Sequence, residues 1–133
     1  MRMLFVNVAV RDLAPARAFY EALGFGVHEQ FSDDGSVAVN LDDNIALMLH
    51  TRERFAEHVP GAVGDPAEAT TVVNRLTVGS RREVDELVEA ALTAGGREWL
   101  PTHQVGAAYT GSFADPDGNA WEITWLDQVS VVN

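Results

Sequence analysis

Residues 113–123 read FADPDGNAWEI and combine turn-forming residues with strand-forming residues on both sides. Asp-Pro-Asp-Gly at residues 115–118 predicts a tight turn, because proline presets a turn backbone and glycine tolerates the left-handed conformation. The flanking ranges 108–114 and 120–126 carry β-branched and aromatic residues and are predicted as strands. Two adjacent strands joined by a tight turn are therefore expected near the end of the chain.

The elements before this pair are a strand, a helix and a further strand. Thr71–Val78 is rich in β-forming residues, and Ser80–Glu83 has the pattern of a capping box that begins a helix. Apolar residues then recur at helical spacing until Gly95. With a short strand at Glu98–Leu100, residues 71–127 are predicted to follow the order β-α-β-β-β.

The first part of the chain has the same order. Met3–Val10 is predicted as a strand, Asp12 as a helix N-cap and Gly24 as the residue that closes the helix. Three further strands are predicted, at Val27–Phe31, Ser36–Leu41 and Ile45–His50.

The two halves correspond at nearly constant spacings. Val10 corresponds to Val78 at a shift of 68, and in the last strands Leu47 is aligned with Glu122 at a shift of 75. Such doubling predicts two similar modules that share one site. We predict one α+β domain over residues 1–133, with module one at about 3–51, a connecting arm at about 52–70 and module two at about 71–127. A short helix is expected in the arm, within Arg52–Val59.

Composition limits the partners and the location. The net charge of −11 disfavours nucleic acid and anionic membranes, which repel an acidic surface. The absence of cysteine excludes disulfides and thiolate metal sites. No apolar run approaches the ~18 residues of a membrane span, and the N-terminal residues lack a signal-peptide pattern, so a cytoplasmic location is expected.

Three segments carry a family signature. They are residues 7–13 (NVAVRDL), residues 18–25 (AFYEALGF) and residues 113–123. Together they resemble the vicinal-oxygen-chelate superfamily, which includes glyoxalases, bleomycin-resistance proteins and extradiol dioxygenases. The resemblance extends from Met3 to Asp127. It implies two paired βαβββ modules whose curved sheets form a cup, and a homodimer that sometimes exchanges modules between chains.

Metal-dependent members of this superfamily hold a divalent ion with His, Gln or Glu from the first and last strand of each module. Carried onto this sequence, those positions are Phe5, Leu47, Val73 and Glu122. Glu122 is the one residue of the four that can ligate a metal. No cofactor is therefore expected, and a divalent metal is disfavoured because one carboxylate does not hold a catalytic ion.

Strand alternation gives the expected lining of the cup. The residues assigned to it are Phe5, Asn7, Leu47, Leu49, Val73, Arg75, Glu122 and Thr124. Arg75 is expected beside Glu122, where a guanidinium keeps a carboxylate ionised and oriented. Two interpretations stay open: a polar patch for substrate with Glu122 as general base or acceptor, and an ion pair left where the metal was lost.

Two further side chains are candidates for the site. His103 lies in the predicted loop Pro101–Ala107, which is able to fold over the cup, and the hydroxyl of Tyr109 is placed to reach into it. A rim tyrosine without a catalytic role is the alternative for Tyr109. His28, His50 and His58 are expected at the surface or at a hinge.

Three functions follow from these residues and the resemblance. The first is a metal-independent, glyoxalase-like protein that binds or transforms a small organic molecule. The second is a binding protein that sequesters a drug or metabolite, as the bleomycin-resistance branch does. The third is a divalent-metal lyase or extradiol-type dioxygenase with other ligands. If the protein is an enzyme, a lyase-like or dioxygenase-like reaction is expected.

Overall fold

The computed structural model describes residues 1–127, so residues 128–133 of the predicted domain lie outside the described part of the chain. The α+β class is confirmed, with two sheets and few helices. The chain divides into two compact units, Met1–Asp65 and Pro66–Asn133. Each unit contains one of the predicted modules together with part of the predicted arm, and module one and module two refer to these units from here on. The division falls inside the predicted connecting arm. None of the described helices is long and apolar enough to cross a bilayer.

Module one contains one four-stranded sheet. Its elements are β1 (Leu4–Val10), α1 (Leu13–Ala22), β2 (Gly26–Val27), a 3₁₀ turn (Glu29–Phe31), β3 (Ser36–Asp42), β4 (Ile45–Thr51) and α2 (Arg52–Ala56). The strand order is β1-β4-β3-β2, with β1 and β4 parallel and the other neighbours antiparallel. The short helix predicted in the arm is α2, and it packs on β1 and β4.

Helix α1 forms because its ends are capped and one of its faces is apolar. The Asp12 side chain accepts a hydrogen bond from the Ala14 amide, and Gly24 has a φ of +97° just after the helix. Phe19 and Tyr20 are buried and pack edge to face, with ring centroids 5.0 Å apart. They cover β3 and β4 on the side that carries Leu47 and its neighbours.

Module two repeats this plan with one additional strand. Its elements are β5 (Val73–Thr77), α3 (Arg81–Thr93), β6 (Arg97–Glu98), β7 (His103–Val105), β8 (Ala108–Ala114) and β9 (Ala120–Leu126). The order is β5-β9-β8-β6, and β7 pairs with β8. Ser80 caps α3 by accepting from the Glu83 amide at 3.0 Å.

Gly111 allows α3 to lie close to the sheet of module two. A Cβ at this position would be 2.8 Å from Val88 Cγ2 and 3.1 Å from Val84 Cγ1. Both valines are on α3, so a larger residue on β8 would push the helix away from Ile123 and Trp121, which are buried. Gly111, Trp121 and Ile123 lie on the same face of the sheet of module two.

Two predicted segments differ from the structure. The predicted strand Val27–Phe31 is wrong beyond Val27, because the Ser32 hydroxyl donates to the His28 carbonyl at 2.7 Å and closes a 3₁₀ turn. The predicted loop Pro101–Ala107 contains β7, which pairs antiparallel with β8. Gly106, with a φ of +58°, forms the turn between these two strands.

The strand register corrects the alignment of the two modules. Asn7 pairs with Met48 in module one, and Arg75 pairs with Glu122 in module two. Because Asn7 and Arg75 correspond at the shift of 68, the module-one equivalent of Glu122 is Met48, not Leu47.

The same register places two predicted site residues on the other side of the sheet. Leu47 and Leu49 pair with Val6 and Val8, so they face away from Asn7. Both leucines have no solvent exposure and lie in the core under α1. The expectation that they line a ligand site beside Phe5 and Asn7 is wrong.

The two faces of module one should respond differently to truncation. We expect Leu47→Ala to lower the free energy of unfolding by about 2–5 kcal/mol, because it opens a cavity in the core. Phe5→Ala is the matched control and should cost about 1 kcal/mol or less, since Phe5 is 54% exposed. Urea unfolding measures both values, and a larger loss for Phe5→Ala would reverse the assignment of the faces.

Candidate functional site

The sheet of module one leaves one face uncovered by α1, and we call it the open face of module one. By strand register it carries Phe5, Asn7, Ser36, Ala38, Asn40, Ala46, Met48 and His50. Phe5 is 54% exposed on this face, and Met3 just before β1 is equally exposed. Large apolar side chains on an open sheet face are typical of a surface that binds a ligand or another protein.

A pocket of about 420 Å³ occupies part of this face. Its floor and walls include the apolar side chains of Phe5, Phe31 and Met48. Its polar lining consists of His28, Asn40, Asp42 and Asp43. The volume lies within the range of about 300–1,000 Å³ that is usual for small-molecule sites.

A hydrogen-bond network through the buried side chains of Ser36 and His50 lies on the same face as the pocket. His50 is 4% exposed, with Nδ1 at 2.6 Å from Ser36 Oγ and Nε2 at 2.7 Å from Asn7 Oδ1. Arg54 of α2 donates to Ser36 Oγ at 3.3 Å and forms an ion pair with Asp33 at 3.2 Å. We call Asn7, Ser36, His50 and Arg54 the His50 network.

The surroundings of His50 favour its neutral form. Burial lowers the pKa of His50 below its usual 6.5, and the neighbouring His58 and Arg54 lower it further, against a smaller opposing effect of Asp33. The pKa of Asp33 is itself lowered, by a hydrogen bond from the Gly35 amide and by Arg54. His50 was expected at the surface or at a hinge, and that expectation is wrong because its ring is buried.

Module two holds the predicted charged pair on the face away from α3. Arg75 Nη2 lies 3.3 Å from Glu122 Oε1, with the Glu122 side chain 23% exposed and that of Arg75 54% exposed. Strand register places Val73 and Thr124 on the same face. Thr124 is fully buried, and its hydroxyl is 2.9 Å from that of Thr110.

The register of β7 adds His103 to that face at its edge. His103 pairs with Thr110, which pairs with Thr124, so the three side chains point the same way. The His103 ring is exposed, and its Nδ1–H donates to the Pro101 carbonyl at 3.0 Å. His103 thus lies on an edge strand rather than in a loop.

Tyr109 lies on the opposite face, beside α3. Its hydroxyl donates to Asp85 Oδ1 at 2.6 Å, and the guanidinium of Arg81 is 4.6 Å from its ring centroid. The hydrogen bond to Asp85 raises the pKa of Tyr109. The prediction that Tyr109 reaches the face of Glu122 is wrong, because alternation along β8 pairs it with Trp125 on the helix side.

The residues at the superfamily's metal positions do not fit a divalent ion. With the corrected register these positions are Phe5, Met48, Val73 and Glu122. The thioether of a methionine is a soft ligand, and it does not replace the carboxylate or imidazole that binds a divalent ion in this superfamily. Within residues 1–127, no three His, Asp or Glu residues are grouped closely enough to hold a metal ion. Correcting Leu47 to Met48 therefore adds no carboxylate or imidazole to these four positions.

Comparison with models of known protein families shows which superfamily the chain belongs to. Residues 2–123 match the model of the glyoxalase/bleomycin resistance protein/dioxygenase superfamily. The chain belongs to this superfamily. No curated protein matches this superfamily member significantly.

Several solved structures share the fold of this chain. A hypothetical protein from S. aureus is 24% identical, with 94% of each chain covered and a TM-score of 0.80. A family enzyme from Burkholderia phytofirmans PsJN is 19% identical, with coverage of 95% of this chain and 99% of that one and a TM-score of 0.78.

A bleomycin resistance determinant encoded on the transposon Tn5 is also similar. It is 22% identical, covers 96% of this chain and 99% of its own, and has a TM-score of 0.67. At these identities the likeness establishes the fold of the chain and leaves its ligand to be argued from its own residues.

The buried neutral His50 should make the stability of the protein depend on pH. Because the folded pKa lies below the unfolded value of 6.5, the unfolded chain takes up the proton first as the pH falls. We expect the free energy of unfolding to decrease between about pH 7 and pH 5. His50→Gln, which keeps a donor and an acceptor but does not titrate, should reduce that decrease.

Urea unfolding of both proteins across this range measures the effect. The pKa of Asp33 lies below its usual 3.8. The stabilisation that this carboxylate contributes is therefore lost only at pH values below the range of the measurement. An equal slope in wild type and His50→Gln would show that the ring has no such effect.

Proposed function

We propose that this superfamily member binds a small organic molecule in the pocket on the open face of module one, without a metal ion. The pocket itself supports the proposal, because exposed apolar side chains surround a concave volume of about 420 Å³. Phe31 is 63% exposed and Phe5 is 54% exposed, and a bound ligand would remove their apolar surface from water.

The rim of this pocket favours a ligand that carries a positive charge. Asp42 and Asp43 are among the residues that line the pocket, and the chain has a net charge of −11. Carboxylates attract a cation, and aromatic side chains such as Phe5 stabilise it further at close range. This observation supports the second function, sequestration of a drug or metabolite.

Within module two, Glu122 is the candidate acceptor or general base for a reaction. Its partner Arg75 is 3.3 Å away and keeps the carboxylate oriented. Tyr109 is not part of this proposal, since its hydroxyl is bonded to Asp85. Cytoplasmic location and homodimeric assembly remain predictions.

Binding can be tested with a cationic probe and its neutral counterpart. We expect 2-phenylethylammonium to shift backbone amide NMR signals of the pocket, and 2-phenylethanol to do so more weakly, because the carboxylate rim attracts the cation. Phe5→Ala should weaken binding by about five- to thirtyfold, the effect of losing about 1–2 kcal/mol of apolar contact.

Val105→Ala is the matched control for this experiment. Val105 is an apolar residue of β7 that is 69% exposed and does not line the pocket, so its truncation should leave binding unchanged. Signals that shift only in module two, or binding that is insensitive to Phe5→Ala, would contradict the proposed site.

Metal independence can be tested on protein purified without chelators or an affinity tag. We expect elemental analysis to find well below one metal ion per chain in wild type and in Glu122→Gln, because a single carboxylate paired with Arg75 is a poor metal site. Close to one Fe, Mn, Ni or Zn per chain, lost in the variant, would restore the metal lyase or dioxygenase.

A further inference from the structure

The His50 network has one direction of proton donation, and Arg54 sets it. A guanidinium has donors and no acceptor, so the contact of 3.3 Å between Arg54 Nη1 and Ser36 Oγ has Ser36 as acceptor. Among the described residues, Ser36 Oγ has no acceptor within hydrogen-bond distance other than its second side-chain contact, so its single hydroxyl hydrogen goes to that contact. That contact is His50 Nδ1, at 2.6 Å.

This assignment also determines the tautomer of His50. Nδ1 accepts from Ser36, so in the neutral ring the proton is carried by Nε2. Nε2–H lies 2.7 Å from Asn7 and therefore donates to its side-chain oxygen, Oδ1. Burial and the nearby positive charge of Arg54 favour this neutral ring over the imidazolium.

The network ends on the amide group of Asn7. Oδ1 of Asn7 accepts the hydrogen bond from His50. The other polar atom of the side chain, Nδ2, has no hydrogen-bond partner within residues 1–127. Asn7 is exposed and shares the open face with Met48, its register partner, which lines the pocket. A surface asparagine normally rotates freely, whereas this one is held with its two N–H donors free beside an apolar surface.

We propose that His50 is a positioning residue that fixes Asn7 as a hydrogen-bond donor, and that the ligand of module one carries a carbonyl oxygen next to its apolar part. This inference rests on the proposed function, since it names a feature of the ligand in the same pocket. A carbonyl is favoured over a carboxylate because the acidic chain repels anions.

Asn7 and the acidic rim would recognise different parts of one ligand. Asp42 and Asp43 lie at the loop that joins β3 to β4, whereas Asn7 lies further along β1, beyond Phe5. A cationic group and a carbonyl oxygen separated by an apolar or aromatic body would satisfy both ends. Donors already fixed in place bind an acceptor without the entropic cost of ordering a free side chain.

Two probes of the same shape isolate the donor. Acetophenone and α-methylstyrene differ by a carbonyl oxygen in place of a methylene group, and their binding to the full-length protein can be followed by NMR titration. In wild type we expect acetophenone to bind about five- to tenfold more tightly, as one hydrogen bond allows. In Asn7→Leu, which has a similar size and no donor, the two affinities should become equal.

The role of His50 needs a readout that a purely structural residue would not change. We expect ¹⁵N spectra of wild type to show His50 as the neutral Nε2–H tautomer. His50→Leu should abolish the preference for acetophenone while keeping the affinity for α-methylstyrene, and His50→Gln, which still donates to Asn7, should retain the preference. If His50→Leu fails to fold, the tautomer in wild type decides the question.

The outcomes separate this inference from the proposed function. Equal binding of the two probes to the wild-type pocket overturns the inference and leaves small-molecule binding intact. Absence of binding by these two probes and by 2-phenylethylammonium overturns both. A preference for acetophenone that persists in Asn7→Leu, or an Nδ1–H tautomer of His50, overturns the role assigned to Asn7 and His50.

Discussion

The parallel pairing of the first and last strand in each module determines which side chains become core and which remain available for binding. In module one β1 pairs with β4, and in module two β5 pairs with β9. Since side chains alternate along a strand, a helix on one side of the sheet fixes the role of every second residue. Leu47 and Met48 are adjacent in the sequence, yet Leu47 lies in the core under α1 and Met48 lies on the open face.

Much of this arrangement could be predicted from the sequence. The Asp12 and Ser80 caps, the turn at residues 115–118 and the doubling of the module depend on local patterns that strongly limit the backbone. The contact between Arg75 and Glu122 also followed from alternation, because charged residues on apolar strands reveal which way each strand faces.

The remaining site residues gave no such signal. Residues 45–49 of β4 are all apolar, so alternation could not be read from them, and the predicted face was off by one residue. His50 looked like an isolated histidine because its partners, Asn7 and Ser36, are distant in sequence and meet only through strand pairing. For Tyr109, alternation alone did not reveal the partner on α3, Asp85, that holds its hydroxyl.

The two modules have diverged at corresponding positions. Module two has the ion pair of Arg75 and Glu122, whereas module one has Asn7 and Met48 there. A chain of hydrogen bonds connects Asn7 to Arg54 through the buried side chains of His50 and Ser36. In that chain Arg54 donates to Ser36, Ser36 to His50 and His50 to Asn7, so an apolar residue in place of Ser36 or His50 would leave its neighbours without their partner. Across related sequences, an apolar residue at position 36 or 50 is therefore expected to be accompanied by changes at the positions that it contacts here, 7 and 54 among them.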